Sequence, residues 1–515
     1  MALLRSVTTV GGYTLISRVL GFVRDVLTAA YLGAGAGADA FFIAQRLPNL
    51  FRSLFAEGAF NAAFVPLFAG MIAAEGRERA KEFAEEVLAV LLAALFVFVL
   101  LGEATMPWSL QIIAPGFAAS PEKYALTVAL TRITFPYLLF ISLVSLQGGI
   151  LNSVDRFAAA AATPVLLNLF MIAALGVSNY WPGGVANALA WGVMLAGLAQ
   201  FLWLMVSCAK AGMALSLPWP RLTEEVRRLL KLMGPGVFGA GVTQVNLLVS
   251  TALASLLPTG AVSYLYYADR LNQLPLGVVG IAVGTAILPP LSRQIRADDF
   301  EGALDTQNRG IELALLLTLP AAIALAIAAE PILAIFERGQ FGLTELRETA
   351  PALAAYALGL PAFVLIKVLV PAFFARQDTA TPVKIAALAM AVNLGLTVVL
   401  MLPLRHVGIA FALSAAGWVN AGALAFVLHR RRYFSIDARA RHSLPRIAAA
   451  AIGMGAVVFV TEKLAAPAFA GDQMIRLAAL AGLIFLGLAV YAALALLLGV
   501  ADVGALKRRF SRVKA

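Results

Sequence analysis

Long uninterrupted apolar runs dominate this chain. Ile133–Val154, Leu271–Ser292, Ile385–Leu404, Val407–Leu428 and Leu477–Ala501 each lack Asp, Glu, Lys and Arg. Each reaches the roughly 20 residues that a helix needs to cross a bilayer. Phe157–Ala209 is charge-free over 53 residues, enough for two crossings, and it breaks at Ser178-Asn179-Tyr180-Trp181-Pro182-Gly183-Gly184. Leu232–Ala268 divides in the same way at Leu257-Pro258-Thr259-Gly260. Backbone groups in hydrocarbon must be paired within the segment, so runs of this length are helices. With the less clean segments added, the pattern predicts helices at 7–32, 38–68, 86–106, 126–152, 160–178, 185–207, 235–257, 262–291, 310–329, 351–374, 382–402, 407–428, 445–464 and 475–499. The fold class is therefore all-α, a polytopic membrane protein of about fourteen spans.

Composition agrees with that pattern and removes alternatives. Of 515 residues, 61% are hydrophobic and 13% charged, and the mean hydropathy is +0.88. No large water-soluble domain fits, and disordered, collagen-like and disulfide-framework classes are excluded. The single Cys208 cannot form an intrachain disulfide, and the three histidines, His406, His429 and His442, all fall late in the chain, which argues against a histidine metal site. Arg18, Arg24 and Asp25 interrupt the first apolar run, so it does not read as a cleaved signal peptide. The net charge of +11 could fit a nucleic-acid binder, but the placement of the bases explains it otherwise. Alternate loops and the two ends carry 26 basic residues against 6 in the loops between. The positive-inside rule then predicts that both termini are cytoplasmic.

Two segments read as interfacial. Leu222, Val226, Leu229, Leu230 and Met233 recur at helical spacing opposite Arg227, Arg228 and Lys231, which predicts an amphipathic linker helix within 219–234 lying on the cytoplasmic leaflet. The 429–446 stretch, with Arg430, Arg431, Arg432, Arg439, Arg441 and Arg446, can touch anionic headgroups or simply anchor topology. An internal echo organises the rest. Ala44, Arg46, Leu47, Ala62, Pro66 and Leu67 recur 224 positions later as Ala268, Arg270, Leu271, Ala286, Pro290 and Leu291. Pro136, Asp155 and Thr163-Pro164-Val165 recur as Pro361, Asp378 and Thr381-Pro382-Val383. Six spans per repeat is an even number, so the halves keep one orientation, as in transporters built of parallel repeats. The expected organisation is an N-lobe at 1–218, the linker at 219–234, a C-lobe at 235–430, and two further helices with a basic tail at 431–515.

Catalytic motifs are missing. The chain has no Gly-x-x-x-x-Gly-Lys-Ser/Thr, no His-Glu-x-x-His and no arguable Ser–His–Asp set, so no enzyme, metal or cofactor is expected. Gly33-Ala34-Gly35-Ala36-Gly37 follows a helix and reads as a turn. The informative chemistry is charge within the spans: Arg18, Arg24, Arg46, Arg52, Arg132, Arg270 and Lys367. At about 3 kcal/mol each, their insertion costs on the order of 20 kcal/mol, and something must compensate. Asp25, Asp39, Glu57, Glu103 and Asp269 are too few to balance them. Arg18 and Asp25 are seven apart, as are Asp39 and Arg46, while Asn49 and Arg52 are three apart; Tyr266, Asp269, Arg270 and Gln273 share one helix. Arg132 and Lys367 stand apart from this set and are expected in structural ion pairs; for Asp25 and Asp269 pairing and function are balanced. Guanidinium forks suit phosphate, so Arg18, Arg24, Arg52 and Arg270 are read as contacts to an anionic substrate that crosses the membrane; if it has a long lipid tail, the tail can stay in the bilayer while the head enters.

These residues are also familiar as a set. Ser17-Arg18-Val19-Leu20-Gly21-Phe22-Val23-Arg24-Asp25, Asp39-Ala40-Phe41-Phe42, Arg46, Leu47-Pro48-Asn49-Leu50 and Phe55-Ala56-Glu57-Gly58-Ala59-Phe60 closely resemble the lipid II flippase family (MurJ, also called MviN). Ala114-Pro115-Gly116-Phe117, Thr134-Phe135-Pro136-Tyr137, Tyr266-Tyr267-Ala268-Asp269-Arg270-Leu271 and Arg376-Gln377-Asp378 match as well, so the likeness runs from about 3 to 430. The resemblance implies two six-helix lobes of the MOP flippase superfamily, a lateral groove formed by the last two helices, and alternating access. The substrate would be lipid II, undecaprenyl-diphosphate-linked disaccharide-pentapeptide, moved outward for peptidoglycan synthesis in the bacterial inner membrane. Its partners would be lipid II, membrane lipids and other cell-wall synthesis proteins, with no nucleic acid. The positions carried over as substrate-binding are Arg18, Arg24, Asp39, Asn49, Arg52 and Arg270, with Asp25, Glu57, Asp269 and Gln273 as gate or cavity residues. On this reading the arginines clamp the diphosphate, and Asp39 pairs with an arginine once the head has left. The chain departs from the family in two places: Gln273 stands where some relatives have an acid, and 235–257 has no acid for the sodium site of some members. Coupling to the membrane potential is expected in its place. The alternatives are an ion-coupled drug exporter of the MATE type, a flippase for another polyprenyl-diphosphate-linked saccharide, and a non-transporting scaffold.

Overall fold

The computed structural model describes residues 2–53, 60–469 and 471–500. It divides into two units, Met1–Ser263 with Arg338–Gly342, and Tyr264–Glu337 with Leu343–Ala515. The first unit holds α1 (Ala2–Leu32), α2 (Ala36–Phe51), α3 (Phe60–Glu75), α4 (Arg77–Ile113), α5 (Pro121–Thr134), α6 (Tyr137–Ser153), α7 (Phe157–Val177), α8 (Gly184–Lys210) and α9 (Glu224–Ser255). The chain passes to the second unit within α10 (Ala261–Arg296). There follow α11 (Phe300–Ile327), α12 (Ala329–Leu333), α13 (Leu343–Ala357), α14 (Leu360–Phe374), α15 (Ala380–Arg430), α16 (Ala438–Leu464), α17 (Ala466–Phe469) and α18 (Gln473–Leu497).

A helix lies wherever the apolar pattern predicts one, with differences that have local causes. The 126–152 segment breaks into α5 and α6 at Phe135-Pro136, because proline has no N–H to donate and crowds the preceding turn. The 351–374 segment breaks into α13 and α14 just before Pro361, the residue that echoes Pro136. The spans 382–402 and 407–428 run together as α15, bent at Arg405 with φ 50°. In the 38–68 segment, α2 ends at Phe51 and α3 begins at Phe60. Among the described residues, nine helices or joined helices are long and apolar enough to cross a membrane.

The separate linker helix within 219–234 is not present. Thr223 caps a single helix, α9, that starts at Glu224 and continues through the 235–255 span. Gly234-Pro235-Gly236 does not interrupt it, and Glu224–Ser255 is helical throughout. Of the expected apolar face, Val226 and Leu229 are buried, whereas Leu222 and Leu230 are exposed. Arg79 on α4 holds this end through Glu225 at 2.7 Å.

Unit 1 packs around stacked rings of Phe60, Phe64, Phe68 and Phe83, with centroids 5.2–5.8 Å apart. Small residues set its helix spacing: a Cβ on Gly192 of α8 would come 2.8 Å from Ala174 of α7, so these backbones approach as small-residue membrane interfaces do. In unit 2, Val279, Val283 and Ile287 of α10 share a core with Val364, Val368 and Leu369 of α14 and with Leu424 and Leu428 of α15.

Candidate functional site

The glycine run after α1 is a turn, as its spacing predicts. Gly33 has φ 66°, and its α-carbon faces Gln340, whose N–H donates to Ala30 O at 2.8 Å. This turn delivers Asp39 into the first turns of α2, where it is 1% exposed. Lys123 of α5 donates to its carboxylate at 2.7 Å. Three donors from the start of α10 complete the set: Gly260 N at 2.8 Å, Ser263 N at 3.0 Å and Ser263 Oγ at 2.7 Å. The carboxylate thus caps α10, where a helix N-terminus favours negative charge. Lys123 also lies 3.9 Å from the centre of the Phe117 ring. In this conformation Asp39 is paired with Lys123, a residue that the apolar pattern had placed in a loop.

The N-terminal helix divides its two arginines. Arg24 is buried, and its Nε and Nη2 donate to Asp25 Oδ1 at 3.1 and 2.7 Å. Its Nη1 donates to Asn168 Oδ1 on α7 at 2.9 Å, and Asn168 Nδ2 donates in turn to Ser17 O at 2.9 Å. For Arg24 and Asp25 the structure therefore gives the ion pair. Arg18, one turn and a half before Arg24, is half-buried, and among the described residues no carboxylate lies within ion-pair distance of it.

The remaining charges fall into separate settings. Arg52, half-buried at the end of α2, donates from Nε to Asn49 Oδ1 at 2.9 Å, as the three-residue spacing predicts. Arg46 is also half-buried. On α10, Gln273 Nε2 donates to Asp269 Oδ2 at 2.7 Å, and the Arg270 guanidinium lies 4.8 Å from the centre of the Tyr266 ring. Arg132 meets Glu103 at 4.0 Å, the structural pairing expected of it. Lys367, expected to pair likewise, has no carboxylate within ion-pair distance among the described residues. Glu57 lies outside the described residues. Among those described, no group of three His, Cys, Asp or Glu side chains is placed to hold a metal ion.

Three contributors escaped sequence reasoning. Lys123 looked like a loop base, although Ala114-Pro115-Gly116-Phe117 just before it was a motif that marked the region. Asn168 was hidden in a charge-free run, where a lone amide between apolar residues was the available signal. Ser263 carried no signal, because its contribution is a capping geometry made at long range.

A model of the lipid II flippase MurJ family matches residues 28–479. The chain belongs to the lipid II flippase MurJ family. A probable lipid II flippase MurJ of Rhizobium meliloti (strain 1021) is 46% identical over 521 residues, covering 99% of this chain and 97% of the relative. One from Rhizobium tropici is 44% identical with the same coverage. Among solved structures, a lipid II flippase MurJ in an inward closed conformation matches with a TM-score of 0.79 at 26% identity, covering 94% of this chain and 97% of that one. An inward-facing multidrug resistance MATE transporter of the MOP superfamily matches at 0.69 and 15% identity, over 81% of this chain and 94% of that one, and shares the fold. The protein is thus an all-α, multi-pass inner-membrane protein of the MurJ family.

Proposed function

We infer that this protein moves lipid II from the cytoplasmic to the outer leaflet, carrying out transport without a chemical reaction. The family match across 28–479 carries this reading. The arginines support its mechanism. Arg18, Arg52 and Arg270 stand half-buried in helices α1, α2 and α10, and guanidinium groups match the paired oxygens of a diphosphate. We assign diphosphate contacts to Arg18 and Arg52 in the first unit, and to Arg270 in the second, with Arg24 joining only when it leaves Asp25 and Asn168. The polyprenyl tail stays against the apolar helices α16 and α18. Both termini face the cytoplasm, as the loop charges require. Other cell-wall synthesis proteins are its natural partners.

An inside-negative potential favours outward movement of two negative charges by about 4–5 kcal/mol per 100 mV, at about 2.3 per charge. No acid occurs in 235–257 to hold sodium, so the potential supplies direction in this reading. The test is conditional depletion with lipid II measured on each leaflet. Accumulation on the cytoplasmic side is expected; an unchanged distribution would remove the flippase assignment.

A further inference from the structure

Lys367 is the one charged residue of α14, whose sequence is otherwise Leu, Pro, Ala, Phe, Val and Ile. A lysine in such a helix is expensive unless it has a partner or a ligand. No carboxylate among the described residues is within ion-pair distance. Its side chain lies instead along α10, over Gly280 and Gly284. A Cβ on Gly280 would stand 3.0 Å from Lys367 Cδ and 3.1 Å from Nζ, and one on Gly284 would stand 3.7 Å from Lys367 Cβ. Two glycines four apart share one helix face, so together they leave a shallow trough that fits the lysine stem. The residue is nonetheless exposed, while Val364 and Pro371, its neighbours on the same face of α14, are buried. Phe363 and Val370, the other residues one turn away on that face, are half-buried, and an exposed apolar side chain returns only at Phe374, two turns on. The ammonium group instead opens from a recess in an apolar wall.

We propose that Lys367 is an anion subsite that takes a carboxylate of the substrate's peptide, an assignment that rests on the lipid II reading above. The position on α10 separates it from the diphosphate. Gly280 follows Arg270 by ten residues, roughly 15 Å along the helix axis at 1.5 Å per residue. A diphosphate held by Arg270 does not extend that far. A pentapeptide does, since five extended residues span roughly 17 Å, and its chain ends in a carboxylate. The residue types agree with this division: the planar fork of arginine suits a diphosphate, and the compact charge of lysine suits a single carboxylate.

The test compares two probes on the full-length protein in nanodiscs: lipid II, and undecaprenyl diphosphate, which has no sugar or peptide. With Lys367→Met, the affinity for lipid II is expected to fall about tenfold while that for undecaprenyl diphosphate stays within twofold. Lys367→Arg should keep most of the affinity for lipid II. Gly280→Ala keeps the charge but displaces the amine, and should weaken lipid II binding selectively. Equal losses for both probes, or no loss for either, would overturn the subsite. If Lys367→Met does not fold, wild type decides with lipid II stripped of its peptide: tenfold weaker binding supports the subsite and unchanged affinity overturns it. Wild-type protein that binds neither probe would count against the lipid II reading itself, a result separate from selective loss.

Discussion

The contact most open to quantitative challenge is Asp39 with Lys123. Both are buried, at 1% and 7% exposure, and their charged atoms meet at 2.7 Å. Lys123→Met keeps the length of the stem and deletes the charge. Among the described residues, Asp39 is then a buried carboxylate supported by Gly260 N, Ser263 N and Ser263 Oγ. Breaking one side of such a pair destabilises by about 3–5 kcal/mol, mostly because the surviving charge has lost its partner. Asp39→Asn leaves the ammonium unpaired and weakens the cap on α10, which adds about 1 kcal/mol. The double variant buries no net charge, so its loss should be smaller than the sum of the two singles by at least about 2 kcal/mol. Equilibrium unfolding in mixed micelles, followed by helical circular dichroism, measures all four corners of this cycle. A loss below about 1 kcal/mol for Lys123→Met, or strict additivity in the double variant, would refute the claim that the two charges hold each other.

Other substitutions separate structural from transport roles. Asn168→Leu removes the buried acceptor of Arg24 Nη1 and the tie to Ser17, and should destabilise by about 1–3 kcal/mol in the same unfolding assay. Arg18→Ala should leave stability within about 0.5 kcal/mol yet fail to support growth when the wild-type gene is depleted, since no described carboxylate pairs with it. The Asp378 carboxyl, in the turn before α15, is held down to about 2 by the hydroxyl and N–H of Thr381 and by Arg431. A depressed carboxyl contributes fully above its unfolded value of about 3.9 and loses that contribution as pH falls toward 2. With solvent screening at this partly exposed site the contribution is about 1 kcal/mol, and Asp378→Asn should abolish that part of the pH dependence in unfolding curves taken from pH 6 down to about 2.

Helix positions were legible because hydrocarbon imposes one requirement, internal backbone pairing, and an apolar run of sufficient length satisfies it in only one way. The breaks at Pro136 and before Pro361 were written in the repeat, but a charge-free run hides them from a reading based on hydropathy. The Arg52–Asn49 contact was readable since both residues share one helix. Asp39 with Lys123 was not, because 84 residues separate them and only tertiary packing brings them together. Lys367 failed for the opposite reason. Its neighbour is not a charge at all but two missing side chains, and glycines among so many small residues attract no notice.

The polar fastening of α16 has a consequence for how a lipid chain could pass it. Arg309 of α11 bonds both Glu312 and Asp437, the capping residue of α16, while Ser443 reaches Glu312 from α16 itself. Farther along, Gly455 of α16 lies so close to Ile323 of α11 that a methyl group at Gly455 would stand 2.5 Å from the Ile323 Cγ2 atom. Riveted at its polar end and pressed flush along its apolar length, α16 packs with α11 as one wall of unit 2. Any chain lying against α16 from outside would meet a helix already backed by α11.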